Sequence, residues 1–201
     1  MVVIRTATRA DARAIASLHA SRIAEGFLST LGVSFLTRLY GRVAVSPDAF
    51  AIVAVDDGRV VGFAAGALDV RSLYRSFVVR DGVVAALQAA PRLARSWRRA
   101  IETLRYPGST SELPRAEVLS MAVAADAAGQ GIGRSLVDAT LTELGARQID
   151  SAKVVAGAGN AAAIAVYAAC GFAVAERLEV HGGVESVVLV WRAPARREVA
   201  R

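Results

Sequence analysis

Three closely spaced glycines follow an apolar segment in the middle of the chain: Gly129, Gly131 and Gly133 come soon after the stretch 117–123. The pattern predicts a buried strand, a tight turn and a helix that begins near residue 132. Because glycine has no side chain, the backbone bends sharply there and a ligand approaches it closely. The first N–H groups of a helix lack intrahelical partners and attract phosphate. The spacing therefore predicts a site for a pyrophosphate-bearing cofactor.

Two common pyrophosphate motifs do not fit this turn. A dinucleotide fingerprint needs a third glycine where the chain has Arg134, and an acidic residue after the next strand, where it has Gly157. A mononucleotide P-loop needs Gly-Lys-Ser/Thr, and the chain has Gly133-Arg134-Ser135 without the required spacer. Both motifs are excluded by the residues themselves.

A second informative segment, residues 160–172, predicts a short alanine-rich helix. Asn160 is a good N-cap, the alanines that follow are strong helix formers, and Gly171 is a natural stop. Tyr167 lies seven positions after Asn160, two helical turns, so the two side chains project from nearly the same face.

Together, the two segments resemble the GNAT superfamily of N-acetyltransferases. The family's acetyl-CoA loop, Gln/Arg-x-x-Gly-x-Gly/Ala, lies over Ala128 to Gly133, with Ala128 in place of the leading Gln or Arg. The Asn and Tyr of the family's second cofactor segment match Asn160 and Tyr167. The resemblance implies acetyl-CoA as co-substrate, held mainly by main-chain groups. The implied cofactor contacts are Met121, Ala122, Val123, Ala128, Gly129, Gln130, Gly131, Ile132, Gly133, Arg134, Ser135, Asn160, Ala163 and Tyr167.

Acetyl transfer to an amine poses two proton problems. The acceptor is an ammonium ion near neutral pH and must lose a proton, and the departing thiolate is stabilised by gaining one. The resemblance implies Tyr167 as the acid and Glu117 as the base; their alternatives are a packed aromatic and an ion-paired strand residue. It also implies that Glu25 and Phe27 contribute to the amine pocket, the alternative being an ordinary connecting loop over residues 25–29.

The elements that must position these residues alternate between strand and helix. Strands are predicted at 2–6, 50–55, 60–65, 117–123, 152–156, 174–180 and 184–191, and helices at 12–23, 32–43, 132–147 and 160–170. The order matches the superfamily's layout: a mixed, mostly antiparallel central sheet, splayed parallel strands at the cofactor site, and helices on both faces. We expect one domain over 1–192, a helical insertion at about 70–114, and a frayed tail at 193–201.

The insertion predicts two further helices, one over 72–89 and one that begins at Pro91. In the second, an apolar stripe is flanked by several arginines. These arginines are interpreted as a solvated helix face, with a substrate lid or a basic patch for an acidic acceptor as the alternative.

Composition limits the remaining possibilities. The chain of 201 residues is 54% hydrophobic with a net charge of +6 and a single cysteine, Cys170, which argues against disorder and a disulfide framework. Two histidines without neighbouring ligands predict no metal site. The absence of an apolar run of about 18 residues and of a signal peptide predicts a cytoplasmic protein without membrane association. The basic charge also suits a polyanionic cofactor, so nucleic acid is not expected as a partner.

These observations predict an acetyl-CoA-dependent N-acetyltransferase that moves an acetyl group directly to a primary amine of a small molecule or protein. The alternatives are a non-catalytic acyl-CoA sensor of the same fold, and an acyltransferase that uses another acyl group or a hydroxyl acceptor. Apolar surface on the C-terminal hairpin and the inserted helices leaves a homodimer open.

Overall fold

A seven-stranded sheet is the centre of the molecule. The computed structural model describes residues 1–23, 27–80, 113–180 and 184–194. The strands are β1 (Val3–Thr6), β2 (Ala49–Asp56), β3 (Arg59–Ala67), β4 (Ala116–Val123), β5 (Ser151–Gly157), β6 (Ala173–Val180) and β7 (Val184–Arg192). Their order across the sheet is β1-β2-β3-β4-β5-β7-β6. All neighbours are antiparallel except β4 and β5, which confirms the predicted mixed sheet.

The central hairpin of β2 and β3 forms where the sequence places two apolar runs around a polar turn. Asp57 and Gly58 both have positive φ, 47° and 76°, the backbone conformation that a tight two-residue hairpin turn requires. Most residues of both strands are buried, as expected for strands that have helices on both faces.

Six helices surround the sheet in the described part of the chain. They are α1 (Ala12–Arg22), α2 (Phe27–Thr30), α3 (Val33–Val43), α4 at residues 70–80, α5 (Ile132–Ala146) and α6 (Ala161–Ala169). One core cluster joins α1, α3 and α4 to one face of the sheet, and two more join α5 and α6 to the other. None of the described helices is both long and apolar enough to be a transmembrane span.

The structure differs from the sequence prediction at residues 27–30 and describes only part of the predicted insertion. Residues 27–30 form the single helical turn α2 rather than the predicted loop, because the partly buried Leu28 packs against the core and its carbonyl accepts from the N–H of Leu31 at 3.1 Å. The first predicted insert helix is present as α4 up to residue 80. Its predicted end, the helix from Pro91, the loop around Glu25 and the tail beyond residue 194 lie outside the described residues.

The two parallel strands separate partway along their length. β4 and β5 pair only at Ala116↔Ala152, Glu117↔Lys153 and Val118↔Val154. Beyond these pairs β4 continues against β3, and β5 continues against β7. The strands must therefore diverge after Val118 and Val154, which opens a gap at their carboxyl ends. This confirms the predicted splay.

A β-bulge lies at the same point. Opposite the consecutive residues Ala65 and Gly66 of β3, β4 places Ser120 and Val118, so Leu119 is an extra residue. The bulge shifts the alternation of side chains along β4 by one position. Glu117 before the bulge and Ala122 after it lie opposite Ala67 and Phe63, which both belong to the core cluster beside α1 and α3, so the two side chains face that side.

Candidate functional site

The turn before α5 has the backbone geometry that its glycines predict. Gly129 and Gly131 both have φ of +78°, and Gly131 is the N-cap residue of α5. A residue with a Cβ adopts this conformation at a cost of roughly 1–2 kcal/mol. The turn is exposed from Ala128 to Gly131. It therefore presents bare backbone to solvent at the positive end of a 15-residue helix.

The N–H groups in this turn have no partner in the part of the chain that the structure describes. Among the described residues, none accepts a hydrogen bond from the backbone N–H groups of Gly129 to Arg134. Ser135 differs: its N–H donates to the Gly131 carbonyl at 3.1 Å, and its hydroxyl points to the same oxygen at 3.4 Å. A consecutive run of unpaired donors at the start of a helix is an anion site. In this chain the run of unpaired N–H groups ends at Arg134, one residue before Ser135, the last residue predicted for this turn.

The polar side chains of the turn are directed along the protein surface. The Gln130 amide nitrogen lies 3.5 Å from the Asp126 carbonyl, and the exposed Arg134 guanidinium lies 3.8 Å from the Asp138 carboxylate. Ala128 is exposed and in an extended conformation. The site's binding capacity therefore resides in its main chain.

The edge of β4 that faces the gap offers further main-chain groups. From Leu119 to Val123 this edge has no strand partner on the β5 side among the described residues. Arg22 of α1 donates from Nε to the Val123 carbonyl at 3.1 Å, so that acceptor is already used. The side chains of Met121, Ala122 and Val123 pack into the core clusters. Only their backbone is available for a ligand.

Asn160 is the N-cap of α6, and Tyr167 lies near the C-terminal end of that helix. The Asn160 side-chain oxygen accepts from the Ala163 N–H at 3.1 Å and caps the helix, as predicted. Tyr167 is 3% exposed and belongs to the same core cluster as Val118 and Val154, the last paired residues of β4 and β5. Tyr167 therefore lies beneath the point at which the two strands separate.

The Tyr167 hydroxyl is protonated near pH 7. It has no hydrogen-bond partner among the described residues. Every fully buried side-chain polar atom in those residues does have a partner, so the Tyr167 oxygen must retain some accessible surface. Burial raises its pKa above the ordinary value, and neighbouring Cys170 adds to the rise. Tyr167 is consequently a neutral phenol with a free donor near the gap.

Glu117 lies on the opposite face, one residue before the strands diverge. Its carboxylate is 3.5 Å from the Lys153 ammonium, and its side chain is 23% exposed. Burial raises the pKa of Glu117, and Lys153 opposes that rise. Burial likewise raises the pKa of Tyr74 in α4 to about 12, with the charge of Glu117 contributing. The carboxyl group is thus mostly removed from water and lies beside one cation and a neutral phenol.

A buried chain of hydrogen bonds on this face was not predicted from the sequence. The Tyr40 hydroxyl lies 2.6 Å from His19 Nδ1 and 2.8 Å from the Ser120 hydroxyl at the β4 bulge. Burial lowers the pKa of His19 to about 4, so the imidazole is neutral near pH 7. The chain fixes the Ser120 side chain, which lies on the unpaired part of β4. No local motif connects residues so far apart in sequence.

The predicted acceptor residues are placed only in part. Phe27 is the first residue of α2, and Glu25 lies outside the described residues. No cluster of three or more His, Cys, Asp or Glu side chains suited to a metal ion occurs in the described ranges. The structure thus brings Glu117 and Tyr167 to the two faces of the sheet beside one gap.

A partly open pocket lies elsewhere on the protein. A cavity of about 340 Å³ lies between the end of α3 and α4, with Arg42, Ser72 and Arg75 among its lining residues. None of the predicted cofactor or catalytic residues lines it. We place the site at the gap because, in the described part of the chain, unpaired backbone donors and largely buried ionisable groups lie beside it.

These features define a class of enzyme: a GNAT-type N-acetyltransferase. The sequence model described as Acetyltransferase (GNAT) family matches residues 20–172. The chain belongs to that family. No curated protein sequence is a significant match.

Solved structures with the same fold span nearly the whole chain. The ribosomal-protein-S18-alanine N-acetyltransferase from Escherichia coli aligns over 100% of both chains with a TM-score of 0.61 and 16% identity. The ribosomal-protein-alanine N-acetyltransferase from Brucella melitensis covers 94% of this chain and 99% of its own, with a TM-score of 0.65 and 20% identity. A putative acetyltransferase from Salmonella typhimurium, solved with its cofactor acetyl-CoA, covers 96% and 95%, with a TM-score of 0.65 and 19% identity. At these identities the likeness concerns the fold.

Proposed function

We propose that the protein transfers the acetyl group of acetyl-CoA directly to a primary amine of a small molecule or a protein. One observation carries the proposal: unpaired N–H donors from Gly129 to Arg134 lie at the start of α5, beside the unpaired edge of β4. A diphosphate suits the N–H donors of Gly129 to Arg134, and an amide-bearing arm suits the backbone groups along the edge of β4. Acetyl-CoA contains both in one extended molecule.

The binding residues follow from this fit. The backbone from Gly129 to Arg134 holds the diphosphate, and the Met121 backbone pairs with the pantetheine amides as an added strand would. Because these contacts are main-chain, Ala128 in place of Gln or Arg removes a side-chain contact and leaves the site intact. The net charge of +6 attracts the polyanionic ligand over longer distances.

Glu117 and Tyr167 divide the proton transfers between the two faces of the gap. Glu117 accepts a proton from the acceptor ammonium, so that the amine lone pair attacks the thioester carbonyl carbon. The C–N bond forms and the C–S bond breaks, and the Tyr167 hydroxyl donates its proton to the departing sulfur. The nitrogen loses its second proton as it becomes an amide, and uptake of one proton returns Tyr167 to the neutral phenol. The raised pKa values of both groups fit these roles: Glu117 holds a proton more readily than an exposed carboxylate, and Tyr167 starts protonated.

Attack is direct rather than through a covalent enzyme intermediate. Cys170 is the chain's one cysteine, and burial raises its pKa to about 11, so it is a thiol and not a thiolate near pH 7. Holding the amine and the thioester together in one complex then supplies much of the rate.

The proposal extends to the organisation of the protein. We infer one domain over residues 1–192 with a helical insertion at about 70–114, a cytoplasmic location, and a homodimer as the assembly to test. Two of the structural neighbours are named for acetylating a ribosomal-protein alanine. A protein amine and a small-molecule amine therefore both belong in the first substrate panel.

The experiment pairs calorimetry of acetyl-CoA binding with thiol release across a panel of amines. The proposal predicts binding and thiol release with at least one amine. Gly131→Trp should abolish binding, whereas Gly145→Ala, on an exposed part of the same helix, should leave it unchanged. Tight binding without thiol release from any amine would favour a non-catalytic sensor, for which Ala128 is the supporting feature. Release with a hydroxyl acceptor or another acyl-CoA would redirect the substrate assignment.

A further inference from the structure

Lys153 is an unusual residue in this chain. The 24 Lys and Arg residues include only one lysine. It lies on β5 directly opposite Glu117 of β4, one pair before the last pair at which the two strands are joined. Its side chain is 14% exposed, less than that of the carboxylate it faces. The chain's single lysine therefore lies where both members of the ion pair are largely out of water.

The Lys153 ammonium is held at two points. It donates to the Pro114 carbonyl at 2.8 Å and lies 3.5 Å from the Glu117 carboxylate. An ammonium is a compact charge with three donors, whereas a guanidinium is a broad planar fork. The geometry suits the smaller group, since one donor is committed to the backbone and another points at the carboxylate.

Lys153 is also the charge that decides the state of Glu117. The described groups that interact with this carboxyl are Lys153 from β5 and Tyr74 from α4. Burial raises the pKa of Tyr74 to about 12, so its phenol is neutral at pH 7. Burial favours the protonated carboxyl, and only the ammonium favours the carboxylate. A protonated Glu117 has no capacity to accept a proton.

We propose that Lys153 is a positioning residue for acetyl transfer: its ammonium, anchored on the Pro114 carbonyl, keeps Glu117 ionised and directed toward the gap where the acceptor amine loses its proton. This inference rests on the proposed function and, within it, on Glu117 as the base. Lys153 itself contacts neither substrate in this arrangement. It acts through the carboxylate.

The first test is the pH dependence of kcat/KM in the full-length enzyme. In Lys153→Met the acid limb should move to higher pH by about one unit or more, with activity recovering above it, because an opposite charge at this distance typically shifts a pKa by 1–3 units. Lys153→Arg restores the charge and should return the limb toward the wild-type position. An equal loss at every pH, with the limb unmoved, would assign Lys153 a purely structural role and overturn the proposal.

The second test needs no turnover. Protein grown with 13Cε-labelled lysine gives one side-chain resonance, since Lys153 is the only lysine. The resonance should shift as Glu117 titrates, and this shift should vanish in Glu117→Gln. A resonance whose titration is identical in Glu117→Gln overturns the pairing, whatever the activity.

The two tests separate the possible failures. A Glu117-dependent titration together with full activity of Glu117→Gln would overturn the positioning role and leave acetyl transfer standing with another base. The same titration in a protein that releases no thiol with any amine would instead overturn the proposed function.

Discussion

Tyr167 packs edge-on against Phe172, with ring centroids 5.4 Å apart and ring planes at 63°. This contact fixes the phenol ring within the core, while its hydroxyl has no partner among the described residues. Removing the hydroxyl should therefore affect chemistry more than folding. In Tyr167→Phe we expect kcat to fall by about 10²-fold, the low end for general acid catalysis, because a thiolate is already a fair leaving group.

The unfolding free energy of Tyr167→Phe should stay within about 0.5 kcal/mol of the wild type, since no hydrogen bond is lost. Stopped-flow thiol release and urea unfolding measure the two quantities separately. An unchanged kcat would remove Tyr167 from the reaction and leave it a packing residue.

The cap of α6 makes a different prediction. Asn160→Ala should destabilise the protein by about 1 kcal/mol, the usual cost of losing an N-cap side chain, measured by urea unfolding. Asn160→Ser keeps a capping oxygen and should recover most of that loss. A drop in acetyl-CoA affinity in Asn160→Ser without loss of stability would show a cofactor contact separate from the cap; equal stability of all three proteins would contradict the cap itself.

Gly131 at the N-cap of α5 and Gly145 within α5 test the strained turn against the ordinary helix. Gly131→Ala places a Cβ on a residue with φ of +78°, where nothing lies within 4 Å, so its cost is conformational. We expect about 1–2 kcal/mol of destabilisation. Gly145→Ala, equally free of neighbours but helical, should instead stabilise by about 0.5–1 kcal/mol. Thermal unfolding measures both changes. Shifts of the melting temperature in the same direction for the two variants would contradict the assigned turn geometry.

His19 makes the stability depend on pH. Burial lowers its pKa to about 4, whereas in the unfolded chain its pKa is near the ordinary value of 6.5. Between these values the unfolded state binds the extra proton, so stability falls as pH drops through this window, by at most about 1.4 kcal/mol per pH unit. The raised pKa of Glu117 acts in the opposite sense above 4.5.

Comparison with His19→Phe isolates the imidazole. The variant should be less stable at pH 7, because Tyr40 loses a hydrogen bond worth about 1 kcal/mol, yet its stability should depend less on pH between 6.5 and 4. Urea unfolding at pH 7 and 5 measures the difference. Parallel pH dependence in the two proteins would mean that His19 is not the titrating group.

The parts of the site predicted from sequence are the local ones. The glycine turn, the start of α5 and the Asn160 cap each depend on residues within a few positions of one another, so composition and spacing predict them. The separation of β4 from β5 was implied by resemblance to the GNAT superfamily, and the structure confirms it.

The parts that the sequence did not predict depend on strand register. The Glu117–Lys153 pair exists because β4 and β5 align at that position, and no local pattern encodes the alignment. The contact from Tyr40 to Ser120 likewise depends on the bulge at Leu119. The rarity of lysine in an arginine-rich chain is the one signal in the sequence that points to Lys153.

The central claim is that the backbone from Gly129 to Arg134 binds the diphosphate of acetyl-CoA. Amide chemical shifts measured by NMR during titration with acetyl-CoA, and separately with acetyl-pantetheine, which lacks the diphosphate, test it most directly. We predict that the amides of residues 129–134 shift strongly with acetyl-CoA and little with acetyl-pantetheine. Saturation by acetyl-CoA that left these amides unmoved, while others shifted, would contradict the claim.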